Sequence, residues 1–244
     1  MKDQRPDPKP RKHPRLWQAY LWWEEVMEAR KRHLLRISSI EKGKSNLDAQ
    51  MEQDIIAHMQ YDAMLKLAKK EMTNYGEAVG PIWDWLCEIR GLGEGGLAAQ
   101  LLAQIDDIAK FDTVSKLWRY CGWAVIDGKI DRCQKGEKSP YNRRLKSICW
   151  QIVDQFVKQR TVLYRDLYDE EKARQKRLHP EKIKENGRWK YNDGHLHHRA
   201  MRKVAKIFLQ HVWVMWRESE DLPVTEPYVQ AIMGHTNIVE PVVV

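Results

Sequence analysis

The stretch LCEIRGLGEGGLAAQLLAQI, Leu86–Ile105, decides how the rest of the chain is read. It offers Leu86 and Ile89 on a first helix, then the turn Gly91-Leu92-Gly93. A second helix opens near Gly96, with Leu97, Ala98, Leu101, Leu102 and Ile105 at three- and four-residue spacing, the period of a helix with one buried face. Two glycines around one apolar residue suit a backbone that turns at positive φ and comes close to something. Such a turn presents the open N–H groups of a helix start, which attract anions. Arg90, Gly91, Leu92, Gly93, Gly95 and Gly96 are therefore expected to grip phosphate, as a helix-hairpin-helix does. The competing expectation is an ordinary helical hairpin whose glycines only permit close packing.

Charge favours the first expectation. The chain of 244 residues carries a formal net charge of +8, unevenly distributed. Residues 1–40 sum to +5, 41–110 to −5, 111–217 to +13 and the last 27 to −5. A block so basic beside a phosphate-gripping turn is the footprint of a polyanion partner. Two clusters stand out within it. One is Lys129, Arg132, Lys135, Lys138, Arg143, Arg144 and Lys146; the other is Arg199, Arg202, Lys203 and Lys206, a single basic stripe at helical spacing. No apolar run approaches the roughly 20 residues that cross a bilayer, and the N-terminus lacks the apolar core of a secretory signal. Cys87, Cys121, Cys133 and Cys149 stand far apart without metal-ligand spacing and read as reduced thiols. A cytoplasmic, nucleoid-associated protein without a membrane partner is expected.

Along the chain, 1–15 reads as a disordered basic arm with Pro6, Pro8, Pro10 and Pro14. Residues 16–80 read as a long, coiled-coil-like helical hairpin. Its stripes are Leu16, Tyr20, Trp23, Met27, Leu34 and Ile37, then Met51, Ile55, His58/Met59, Leu65, Ala68, Met72, Tyr75 and Val79. Ser45 and Asp48 resemble a capping box between the two helices, and a homodimer through 16–80 is a candidate partner arrangement. Residues 81–218 form the expected helix-hairpin-helix DNA-binding domain. In it Asp112-Thr113 caps a short helix that Gly122 ends, and Asp127-Gly128 turns a small β-hairpin. One helix runs from about Asn142 to Tyr168, Asp169–Lys190 is a helix end and long loop, and a last helix covers about His195–Glu218. Residues 219–244 read as an irregular acidic tail. The fold class is mainly α with a small β-insert and basic helices.

Four phrases together resemble the C-terminal half of transposases of the insertion sequence 110/116/902 family. They are the glycine turn; Gln104-Ile105-Asp106-Asp107-Ile108 with Phe111; Tyr120-Cys121-Gly122-Trp123-Ala124; and Tyr141-Asn142-Arg143-Arg144-Leu145-Lys146, closed by Ala200–Lys206. The resemblance covers about residues 89–216. It implies DNA handling in transposition or recombination, a guide RNA as partner, an N-terminal ribonuclease-H-like domain with four acidic metal ligands, and a serine nucleophile. The chain departs from the family twice: 1–80 is helical rather than strand-bearing, and Val125-Ile126-Asp127-Gly128 holds no serine where the family has one. Ser139 is the nearest hydroxyl and has no activating base beside it in sequence.

Other candidates read as structural. His195, His197 and His198 with His211 lack a metal-binding spacing, and Asp106-Asp107 reads as a helix end. Trp123 and Trp189, beside basic residues, are candidates for stacking on unpaired bases. The functional expectation is a sequence-tolerant binder of duplex DNA, non-catalytic alone or dependent on a partner. No cofactor is expected in this chain; a divalent metal enters only if a partner supplies the acidic domain. The alternatives are an active transposase or recombinase fragment and an RNA-binding or scaffold protein.

Overall fold

The computed structural model describes residues 10–44, 48–126, 129–130, 132–185, 187–225 and 239–241. The expected arm over residues 1–9, the capping box at Ser45, the Asp127-Gly128 turn and most of the acidic tail lie outside them. The protein is mainly helical, at 71% helix, and its strands form only small antiparallel hairpins. The chain divides into two compact units, residues 1–79 with 94–107, and residues 80–93 with 108–244.

In the first unit, α1 (Pro14–Glu41) and α2 (Asp48–Glu77) run antiparallel, and α4 (Ala98–Ile105) packs on both. Every residue of α4 is buried, and it meets the end of the hairpin holding Leu16, Ala19, Tyr20, Ala68 and Met72. Beyond α4 each long helix has only the other to lean on. Polar contacts hold that distal end: Arg30 Nε donates to Asp62 at 2.7 Å, and His33 lies between Asp54 (3.3 Å) and the Tyr61 hydroxyl (3.3 Å). The stripes expected from periodicity are therefore correct only near α4. Leu34, Ile55 and Met59 are exposed, because a two-helix hairpin without a third layer can cover one narrow seam. The arm differs as well. Residues 10–13 lie on the C-terminus of α4: Arg11 donates to the Ala103 carbonyl at 3.2 Å and stacks on Trp17, Lys12 pairs with Asp107, and the His13 N–H donates to Asp106. The negative end of a helix attracts these cations.

The second unit is built around α8 (Asp193–Ser219). Packed on it are α3 (Pro81–Glu88), α5 (Val114–Tyr120), α6 (Arg143–Gln159) and α7 (Tyr164–Leu178). Its inner face, from Leu196 through Trp216, is buried, and the Trp213 indole donates to the Phe111 carbonyl at 2.7 Å. The two helices expected to pair across the glycine turn thus part company: α3 joins α8, whereas α4 joins α1 and α2. The apolar pattern around both is broad enough for either pairing, and the larger apolar partners decide it.

Two further differences concern α6 and α7. A single helix was expected from Asn142 to Tyr168, but Arg160 (φ 52°) and Leu163 (φ 70°) break it without glycine or proline. The break is closed locally by the Thr161 amide donating to the Phe156 carbonyl (3.0 Å) and tied to the rest of the unit by its hydroxyl donating to the Arg90 carbonyl (2.7 Å). The helix end expected after Asp169 is the rest of α7, and the long loop expected beyond it instead holds a second hairpin, β3 (Ile183–Glu185) with β4 (Arg188–Lys190); the expected insert is β1 (Val125–Ile126) with β2 (Lys129–Ile130).

Below Phe156, which stacks on Tyr164 at 4.4 Å, lies a buried polar pair. His211 Nε2 faces the Val239 carbonyl at 2.8 Å and so carries the proton; Nδ1 then accepts from the Tyr164 hydroxyl at 2.9 Å. Burial pulls the His211 pKa below its ordinary value, against a smaller opposing effect of the Val239 carbonyl. The unfolded chain therefore binds a proton that the folded imidazole refuses. This stabilisation is complete above about pH 6.5 and is lost as pH falls through the folded value. Thermal melts are expected to show stability falling from pH 7 toward pH 5.5, with a shallower fall in His211→Gln.

Candidate nucleic-acid interface

Two of the four singled-out phrases, Tyr120–Ala124 and Tyr141–Lys146, lie wholly in the second unit with the closing Ala200–Lys206, and Gly122 is the reason those two touch. Helix α5 ends in a Schellman motif: the Gly122 amide donates to the Arg119 carbonyl (3.0 Å) and the Trp123 amide to the Trp118 carbonyl (2.8 Å). Gly122 takes φ +71°, and a Cβ there would stand 2.6 Å from the Tyr141 ring. The glycine thus lets Tyr141 lie against the helix end. The adjoining Asn142 amide donates to the Tyr120 carbonyl at 2.8 Å, and the Asn142 side chain caps α6 by accepting from the Leu145 amide at 3.0 Å. One contact therefore fixes where α6 starts and where its first-turn cations stand.

Those cations border an aromatic cleft of about 290 Å³, lined by Trp123, Tyr141, Arg143, Lys146, Ser147 and Trp150. Residues 143, 146, 147 and 150 share one helical face. Lys146 Nζ lies 4.1 Å above the Tyr141 ring and 5.8 Å from that of Trp123. Trp123 is only 7% exposed, and its indole N–H is buried without a hydrogen-bond partner; Trp150 is 36% exposed. The Trp150 ring lies 6.4 Å from that of His198 on α8, which joins the cleft to the second basic cluster.

The stripe on α8 splits. Arg199, Arg202 and Lys206 follow at i, i+3 and i+7. Lys203 turns the other way and binds Glu171 of α7 at 2.9 Å. Its charge is neutralised within the fold, which corrects the expectation of one four-residue stripe. Lys206 lies 4.1 Å over the Trp118 ring, and Arg199 lies over Tyr191. Crowding shows in their acidities. Burial, then Arg199, lowers the Arg202 pKa; burial, then Arg202, lowers that of Lys206. His195 is lowered by burial first and then by Arg199, Arg202, Lys190 and His198. Among the described residues no carboxylate pairs with Arg143, Arg199, Arg202 or Lys206. Elsewhere in this unit several cations are matched: Lys116 with Asp112, Lys158 with Asp154, Arg165 with Asp169, and Arg174 with Glu171.

The glycine turn is less open than its sequence suggests. Gly91 (φ +103°) lies against α6, where a Cβ would meet Gln155 Cβ at 3.4 Å; Leu92 is buried and its amide donates to the Ile89 carbonyl. The close approach that Gly91 permits is to the chain's own helix. Residues Gly93–Leu97 form one π-turn leading straight into α4, so amides at its end are bonded within it. Gly93 is exposed and belongs to the second unit; Gly96 belongs to the first. Each has open space where a Cβ would stand. Gly95 and Lys129 are described in backbone only.

Arg132, Lys135 and Lys138 are exposed along the loop before Ser139, and Arg144 is exposed at the start of α6. The Ser139 hydroxyl donates to the Tyr141 carbonyl at 2.7 Å and lies 3.3 Å from Cys133 Sγ, within a turn around Pro140. That bond fixes the turn, and no histidine or carboxylate adjoins the hydroxyl among the described residues. Hydrogen bonding with Ser139 and then with Tyr141 lowers the pKa of the exposed Cys133 thiol, with Arg143 and Lys146 acting in the same direction. Cys121 is buried, and burial raises it.

The four histidines do not converge on one point, although the His197 and His198 rings lie 5.3 Å apart. His195 accepts from the Tyr191 amide, His197 meets the Tyr168 hydroxyl at 2.7 Å, His198 faces Trp150, and His211 is internal. Sequence reading missed Trp150, an aromatic on the charged side of α6, and Lys182 and Lys184, which flank the exposed Trp189 ring beside β4. A larger groove of about 730 Å³ opens between α1 and α2, where Arg15, Lys70 and Glu71 put both signs of charge around Trp22 and Tyr75.

Compared with models of known protein families and with curated proteins, the chain matches none. No helix among the described residues is long and apolar enough to cross a membrane.

Gly122→Ala is expected to lose about 2–5 kcal/mol of stability, from the left-handed backbone and the clash with Tyr141. Gly136→Ala, at φ +86° with open space around it, carries only the backbone part. Urea denaturation of both variants checks the difference.

Proposed function

We propose that this chain binds double-stranded DNA without reading its sequence, through the basic face of its second unit. The observation that carries the reading is the row Arg143, Arg199, Arg202 and Lys206, which among the described residues has no carboxylate partner, whereas Lys116, Lys158, Arg165 and Lys203 of the same unit are each paired with one. Phosphates complete what the protein does not. Their oxygens accept charge-assisted hydrogen bonds from guanidinium groups and release condensed counterions on binding. Contacts of this kind position a duplex and carry little base information. Arg132, Lys135, Lys138 and Arg144 extend the face, and Lys182 and Lys184 add a second basic element. Of the glycine turn, exposed Gly93 belongs to this unit.

The four transposase-like phrases support a role in DNA transposition or recombination, in the cytoplasm and at the nucleoid. The chain acts there without catalysis of its own or with a partner. Chemistry, and the metal it uses, come with a partner's acidic domain; a guide RNA supplies the target choice that phosphate contacts cannot. A second copy of the chain covers the distal end of the hairpin, where Leu35, Ile56 and Met59 are exposed on α1 and α2.

Replacing Arg143, Arg199 and Arg202 together by Gln is expected to weaken duplex binding at least tenfold, read by fluorescence anisotropy. Lys158→Gln and Lys203→Gln, whose charges are already paired, leave it within about twofold; equal losses in both sets would contradict the proposal. Sedimentation of the full chain is expected to show a dimer that Ile56→Glu and Met59→Glu convert to monomer.

A further inference from the structure

We propose that the cleft between Trp123, Tyr141 and Trp150 takes one unpaired nucleotide of the bound DNA. The inference rests on the basic face binding DNA and adds what that face selects: DNA in which a base has left the stack.

Its volume of about 290 Å³ suits a base and part of its sugar rather than a larger ligand. Three of its six lining residues are aromatic, and Trp150 presents an accessible ring at its edge. Bases stack on such rings whatever their identity. Trp123 lines the cleft but is more than nine-tenths buried, so it closes one side and leaves stacking to the more exposed rings of Tyr141 and Trp150. Lys146 and Arg143 border the same cleft, so a nucleotide there brings its phosphate beside two cations. Trp150 meets His198 one residue before Arg199, so the strand leaving the cleft runs onto the uncovered row on α8.

An intact duplex cannot use this cleft. Its base faces are covered by their neighbours, and its phosphates need no aromatic wall. Only an extruded, bulged or terminal base can enter, and unstacking is least costly where pairing is already absent.

The test compares the full chain on a short labelled duplex with the same duplex carrying one central unpaired thymine. The bulged probe is expected to bind about tenfold more tightly. Trp150→Ala abolishes that preference while leaving affinity for the plain duplex unchanged, and Ser147→Phe, which fills the cleft, does the same. Trp189→Ala, at an exposed ring away from the cleft, leaves the preference intact. Equal binding of both probes, or a preference that survives both cleft variants, overturns the cleft. Failure of the chain to bind either probe overturns the reading of the basic face and the cleft with it.

Discussion

The second unit depends on one close contact, the Tyr141 ring against the helix end at Gly122. No side chain fits between them, and the left-handed turn of Gly122 closes the last carbonyls of α5 while leaving room for the ring. From that contact follow the Asn142 cap, the first residue of α6, and the positions of Arg143 and Lys146. The aromatic cleft is therefore a by-product of how two helices are joined. Its walls come from the end of one, the linker and the first two turns of the other.

Helix α8 supplies the other half. Nearly its whole inner face is apolar, so its polar residues are forced to its flanks. On the flank facing α7, Lys203 finds Glu171. On the other flank Arg199, Arg202 and Lys206 find tyrosine, tryptophan and each other. Cations over aromatic faces keep their charge available, whereas a bonded carboxylate does not. Like charges at this spacing repel, so the row is a local cost to folding that a bound polyanion relieves. This distinguishes the face from α7, where Arg165 pairs with Asp169 and Arg174 with Glu171 on the same helix.

Much of the fold was legible because it rests on local signals. The helix end at Gly122 carries the capping chemistry its sequence announces, and the helical hairpin follows from two long amphipathic runs. What was not legible depends on distant partners. The break at Arg160 has no glycine or proline and exists because Thr161 reaches Arg90, 71 residues away. The separation of α3 from α4 follows from which larger apolar surface each one meets. Periodicity placed Ile55 and Met59 inward, but the third layer stops short of them. At the site, charge density was visible and pairing was not: Lys203 and Arg202 are adjacent in sequence and opposite in role. The glycine turn shows the same limit, since Gly91 does make a close approach, but to Gln155.

The central claim is that a small set of uncovered cations holds a phosphate backbone. The salt dependence of duplex binding by the full chain counts those contacts directly. If four or five phosphates are neutralised, the logarithm of the association constant falls against the logarithm of salt concentration with a slope of about −4. A slope near zero at measurable affinity would show that the face does not bind through its charges, and the account would fail.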